Sequence, residues 1–181
     1  CERRFFMKIV PEETLALVID YQEKLMPAIN NNKELIEKSS ILIKGLRELE
    51  VPIIVSQQYT KGLGNTVEPI AEALGEFEPF DKKSFSLMGD DDICRAIRLM
   101  GKSNVILCGA EAHICVLQTA LDLIDEGYNV LIVEDCVGSR KPNDKKFACK
   151  RAVQEGAVLT TYEAVLYELT GGAESEDFKA I

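Results

Sequence analysis

Val105-Ile106-Leu107-Cys108-Gly109-Ala110-Glu111-Ala112-His113-Ile114-Cys115-Val116 is the stretch from which the rest of the 181-residue chain is read. Val105 to Cys108 read as a strand buried on both faces, and after a short turn a helix is predicted from Cys115 to Asp125, closed by Gly127. The same alternation recurs on either side. Leu15 to Ile19 form an apolar run that stops at Asp20, helical spacing covers Glu34 to Leu49, and Val51 to Val55 follow as a strand, where Pro52 suits a strand's beginning. Gln57 to Thr66 read as a loop, Val67 to Leu74 as a short helix and Phe80 to Lys82 as a short strand. Asp90-Asp91-Asp92 precede a helix through Met100, where carboxylates suit the positive end of the helix dipole. Strands at Val130 to Val133 and Val158 to Thr160, with helices at Asp144 to Glu155 and Tyr162 to Leu169, complete the pattern. It predicts an α/β chain built on a mostly parallel sheet.

The chain reads as one domain. Residues 1–6, ahead of Met7, read as a leader or tag remnant, and the acidic stretch beyond Gly171 as a mobile tail or an interface arm. With 46% hydrophobic and 28% charged residues the composition is that of a globular protein able to bury its own core. Lys and Arg number 21 against 30 Asp and Glu, a net charge of −9 that opposes nucleic-acid phosphates and anionic membrane surfaces alike. No apolar run approaches the ~18 residues needed to span a bilayer, so a cytoplasmic protein is expected.

Six cysteines without a Cys-x-x-Cys pair, and a single histidine, His113, argue against a disulfide framework and against zinc. No metal and no cofactor is expected. Gly62-Leu63-Gly64 lacks the third glycine of a dinucleotide fingerprint, since Val67 stands there. Gly101-Lys102-Ser103 imitates the end of a phosphate loop but has Ala96 where the upstream glycine belongs.

In parallel α/β sheets reacting groups gather at the carboxyl ends of strands, and three ionisable residues stand there: Asp20, Lys82 and Cys115. At the first turn of a helix the Cys115 thiol would be favoured as thiolate, with a depressed pKa, and backbone N–H groups of the turn could stabilise an oxyanion. The same position also suits a small buried cysteine. His113, two residues away in the same turn, is not assumed to face the thiol, which leaves Asp20 as proton acceptor and Lys82 as charge stabiliser. Asp20 could instead merely cap its turn, and Lys82 could be a solvated neighbour of Asp81. Three readings stay open: a cysteine hydrolase, a redox-active thiol protein in which Cys108 or another cysteine resolves oxidised Cys115, and a non-catalytic interaction module.

Segments 17–24, 58–64, 82–86, 108–122 and 135–140 together resemble the isochorismatase-like cysteine hydrolases, in their small single-domain branch. The resemblance implies a six-stranded parallel sheet in three layers, a homo-oligomer acting on a small molecule, and a catalytic Asp20, Lys82 and Cys115. Lys82 is chosen over Lys83 because it stands three before Phe85. It further implies a cis peptide between Ala110 and Glu111 and oxyanion donors at the backbone N–H groups of Glu111 and Cys115. Gln22, Tyr59 and Phe85 are candidate substrate-binding residues by position. Where nicotinamidases of the superfamily carry an aspartate and histidines for a metal, this chain has Gln57-Gln58-Tyr59-Thr60. True isochorismatases lack the nucleophilic cysteine, so Cys115 points to cleavage of a carbon–nitrogen bond.

Overall fold

A computed structural model describes residues 8–181. The expected leader at residues 1–6 lies outside the described residues. Six strands, β1 (Thr14–Ile19), β2 (Ile53–Gln58), β3 (Phe80–Lys82), β4 (Asn104–Ala110), β5 (Asn129–Gly138) and β6 (Val158–Thr160), form one sheet in the order β3-β2-β1-β4-β5-β6. Every neighbouring pair is parallel. The strand order reverses between β1 and β4, and at such a point the connections leave to opposite sides and open a crevice beyond the strands' carboxyl ends.

Alternation along the buried strands divides the core in two. Ala16, Val18, Ile106, Cys108 and Val133 face α1 (Asn32–Glu48), α3 (Glu68–Leu74) and α7 (Tyr162–Thr170). Leu15, Leu17, Ile19, Leu107 and Ile132 face α4 (Asp91–Leu99), α5 (Leu117–Asp125) and α6 (Pro142–Glu155). The one-turn α2 (Thr60–Leu63) interrupts the expected loop. No helix among the described residues is long and apolar enough to cross a membrane.

The chain departs from the sequence reading in four further places, each for a local reason. β2 starts later and runs on through Gln57 and Gln58, because these polar residues pair with Asp81 and Lys82 of β3 instead of facing solvent. β5 continues past Val133 through Glu134 and Asp135, whose carboxylates meet Lys145 at 2.9 Å and Lys38 at 3.9 Å, and the register against β4 shifts there. The helix expected from Cys115 begins only at Leu117, since Ala112–Val116 form a wider π-helical turn. The acidic tail folds back: Phe178 lies 6.2 Å from Tyr167, ring centre to ring centre, and Ile181 packs against the core.

Gly109 allows β4 to pass β1 just below the crevice. Its φ is 132°, and a Cβ there would stand 2.0 Å from the Ile19 carbonyl oxygen, immediately before Asp20. Gly101 also has a positive φ, 62°, but nothing lies within 4 Å of its would-be Cβ. Gly109→Ala is therefore expected to cost about 3 kcal/mol or more, roughly a 10 °C fall in Tm, and Gly101→Ala only about 1 kcal/mol. Thermal unfolding of the two variants side by side checks the contrast.

Candidate active site

Three chain segments reach the crevice from different strands. Asp20 follows β1 with φ 53°, a left-handed turn that aspartate tolerates better than most residues. Its N–H still donates to Ser56 O at 3.1 Å, so the turn begins with β1 held to β2. Lys82 ends β3, and the following chain curls over its ammonium. Cys115 sits in the π-helical turn between β4 and α5, and the peptide bond between Ala110 and Glu111 ahead of that turn is cis.

The Asp20 and Lys82 side chains have no exposed surface, and Cys115 is 6% exposed. Lys82 Nζ donates to Asp20 Oδ2 at 2.9 Å and to Gln58 Oε1 at 2.6 Å, and lies 3.1 Å from the carbonyl oxygens of Ser84 and Phe85. It also lies 3.7 Å from Cys115 Sγ. The second carboxylate oxygen of Asp20 accepts from Ser56 Oγ at 2.8 Å. The three residues picked out by sequence thus meet around one nitrogen. Of the two adjacent lysines Lys82 is the buried one, and Lys83 is exposed.

Ser56 and Gln58 were missed by the sequence reading, although a signal was present. They are polar residues two apart at the carboxyl end of a strand, hence on one face, and β2 lies between β1 and β3 where it can bridge Asp20 to Lys82.

The expected thiolate is not what this environment favours. Burial, followed by the negative charge of Asp20, pushes the Cys115 thiol from 9.0 up to about 12, and Lys82 opposes the rise without cancelling it. The resting sulfur is a neutral thiol beside an ion pair. Cys108 has no exposed surface, and burial also lifts its thiol to about 12. It belongs to the core on the opposite side of the sheet from the cluster that includes Cys115, which removes it as a resolving partner.

The three pocket candidates differ in placement. Gln22 is fully buried: its amide nitrogen donates to Gln58 O at 3.0 Å and Gly64 O at 2.9 Å, and its oxygen accepts from Gln58 N at 2.7 Å. It therefore braces the loop after β2, with both amide N–H donors taken up by that loop. Tyr59 and Phe85 are 50% and 53% exposed, on the segments flanking Lys82. Gln57 Oε1 accepts from both Thr66 N and Thr66 Oγ1 at 2.9 Å, so its carboxamide ties the same loop together. No three His, Cys, Asp or Glu side chains among the described residues are grouped so as to hold a metal ion.

The parallel β3-β2-β1-β4-β5-β6 sheet, with a carboxylate, an amine and a thiol gathered at its carboxyl end, is an α/β architecture of the isochorismatase-like kind. The isochorismatase domain model matches residues 14–164, and the chain belongs to the isochorismatase family. It is 38% identical over 173 residues to isochorismatase domain-containing protein 1 of Salmo salar, covering 96% of this chain and 61% of that protein. With isochorismatase domain-containing protein 2 of Danio rerio it shares 39% over 170 residues, 93% of this chain and 84% of the other. Among solved structures, the MAR1 ribonuclease from Caenorhabditis elegans superposes with a TM-score of 0.90 at 43% identity, over 96% of this chain and 90% of that one. YcaC from Pseudomonas aeruginosa, solved with covalent acrylamide, shares the fold at a TM-score of 0.90 and 22% identity, over 98% of this chain and 91% of the other.

Two measurements test the electrostatics. The rate of Cys115 alkylation by iodoacetamide is expected to rise about tenfold per pH unit from pH 7 to 9 without levelling, because the thiolate fraction keeps growing up to a pKa near 12. A plateau at or below pH 8 would contradict the raised pKa. Asp20→Asn and Lys82→Met are each expected to cost about 3–5 kcal/mol in urea unfolding, and the double variant clearly less than their sum, since each single change strands a buried charge.

Proposed function

We propose that this chain is a metal-independent cysteine hydrolase that opens an amide-like carbon–nitrogen bond of a small molecule through an acyl-enzyme on Cys115. The observation that carries the reading is the 3.7 Å approach of Cys115 Sγ to an ammonium already paired with a carboxylate at 2.9 Å. In the first half-reaction Sγ bonds to the carbonyl carbon as its proton passes to Asp20, and the carbonyl π pair moves onto oxygen. Collapse breaks the C–N bond, and the leaving nitrogen takes the proton from Asp20. In the second, Asp20 takes a proton from water and the oxygen attacks the thioester. The acid departs, and the sulfur regains its proton from Asp20.

Lys82 gives this sequence a fixed positive charge. Before attack the negative charge is on Asp20, and as the proton leaves the thiol it appears on sulfur, both within reach of the same ammonium, until the C–S bond carries it on to the carbonyl oxygen. The Glu111 and Cys115 N–H groups would receive the oxyanion. Glu111 N–H has no acceptor among the described residues, which fits that role.

A homo-oligomer is part of the proposal. Its support is the apolar surface left on one flank of the sheet, where Phe147 and Val153 of α6 are 57% and 47% exposed and Leu159 of the edge strand β6 is 38% exposed. Light scattering of the purified chain is expected to give a mass above the 20.1 kDa of one copy.

The ribonuclease name of the Caenorhabditis elegans neighbour supplies a second reading, but a net charge of −9 opposes a polyanion and a buried thiol suits a carbonyl better than a phosphodiester. Intact-mass spectrometry after incubation with a library of small amides and activated esters is expected to reveal an acyl adduct that disappears in Cys115→Ala. A labelled RNA should stay intact under the same conditions. RNA cleavage without any adduct would replace the proposal with the second reading.

A further inference from the structure

Glu111 is used three times over by the turn that carries Cys115. Its carbonyl oxygen accepts from Ile114 N at 3.1 Å and Val116 N at 3.3 Å, closing the turn on both sides of the thiol. Its N–H is the free donor assigned above to the oxyanion. Its carboxylate is buried, with a side-chain exposure of 7%, and reaches the connection between β5 and α6. There Oε1 accepts from Arg140 Nε at 3.0 Å, and Oε2 accepts from the Arg140 backbone N–H at 3.0 Å and from Nε at 3.2 Å. A second tie joins the same segments, His113 Nδ1 to Ser139 Oγ at 2.8 Å.

We propose that Glu111 and Arg140 are positioning residues, whose ion pair holds the Glu111 N–H where charge develops on the carbonyl oxygen. The proposal rests on the acyl-enzyme reading above. An oxyanion donor works only if its direction is set before the reaction, and a lone turn residue between a strand and a π-helical turn has no sheet ladder to set it. The carboxylate supplies that missing anchor. Its charge-assisted bonds involve both a side chain and a backbone N–H of the next strand's exit, so Glu111 is fixed against two different directions of motion. Burying a carboxylate is costly unless it is fully paired, and a neutral residue would fill the same space, so the pair's value lies in geometry more than in stability.

The test compares two reagents at the same sulfur. p-Nitrophenyl acetate acylates through a tetrahedral intermediate: the S–C bond forms, the thiol proton goes to Asp20, the π pair goes onto oxygen, and collapse expels p-nitrophenolate. Iodoacetamide forms an S–CH2 bond as iodide leaves and the thiol proton passes to Asp20, and it places no charge on a carbonyl oxygen. Glu111→Ala and Arg140→Ala are expected to slow acylation about 10- to 100-fold while alkylation stays within about twofold. Glu111→Gln, which keeps an oxygen for Arg140, is expected to recover part of the loss. Arg140 is exposed, so its variant should fold even if Glu111→Ala does not. Parallel loss of both rates, or no change in either, overturns the proposal. Wild-type protein that alkylates at Cys115 but never acylates overturns the acyl-enzyme reading and this proposal together, a result distinct from the other two.

Discussion

The carboxyl end of the sheet is organised around one ammonium with no access to water. Lys82 Nζ has oxygen partners from β2, from the turn after β1 and from its own following loop, with the Cys115 sulfur as a further neighbour. A charge in such a place must be compensated on all sides, and it is: no buried side-chain nitrogen or oxygen among the described residues lacks a hydrogen-bond partner. Well-packed apolar residues in place of a buried ion pair would commonly be as stable or more so. The pair is thus poor evidence for stability and better evidence for chemistry. Strand order dictates its supporting cast, because β2 separates β1 from β3 and must contribute polar groups, Ser56 and Gln58, to bridge them.

Competing effects on the thiol can be ranked. A helix N-terminus is worth about 0.3–1 kcal/mol to an anion, less than one pKa unit at roughly 1.4 kcal/mol per unit. Burial and the Asp20 charge move the thiol in the other direction, from 9.0 to about 12, and they win. A neutral resting thiol is compatible with nucleophilic chemistry when a base stands beside it and the developing charge is compensated. Asp20 is that base in the proposed mechanism. Lys82 keeps the cost of moving charge from oxygen to sulfur low, because it does not have to travel.

The architecture was legible because buried parallel strands write themselves as uninterrupted apolar runs, as at Leu15 to Ile19 and Val105 to Cys108. What pattern could not convey was polar structure. Gln58 reads as loop because its partners, Lys82 and Gln22, are distant in sequence. Glu134 and Asp135 read as a strand end because their cations lie on two different helices. Asp20, Lys82 and Cys115 were visible as ionisable residues at strand ends. Their meeting around one nitrogen needed the sheet order, and the sign of the thiol's shift needed its burial. Gln22 is a pocket candidate by position, whereas its amide is taken up by bracing the loop after β2.

The account stands on the charge state of the resting trio, negative on Asp20, positive on Lys82, none on sulfur. Ultraviolet thiolate absorbance of the wild type, with that of Cys115→Ser subtracted, reads it directly. The account predicts no Cys115-dependent thiolate signal at pH 7 and its growth only in strongly alkaline solution; a full thiolate signal at neutral pH would contradict it.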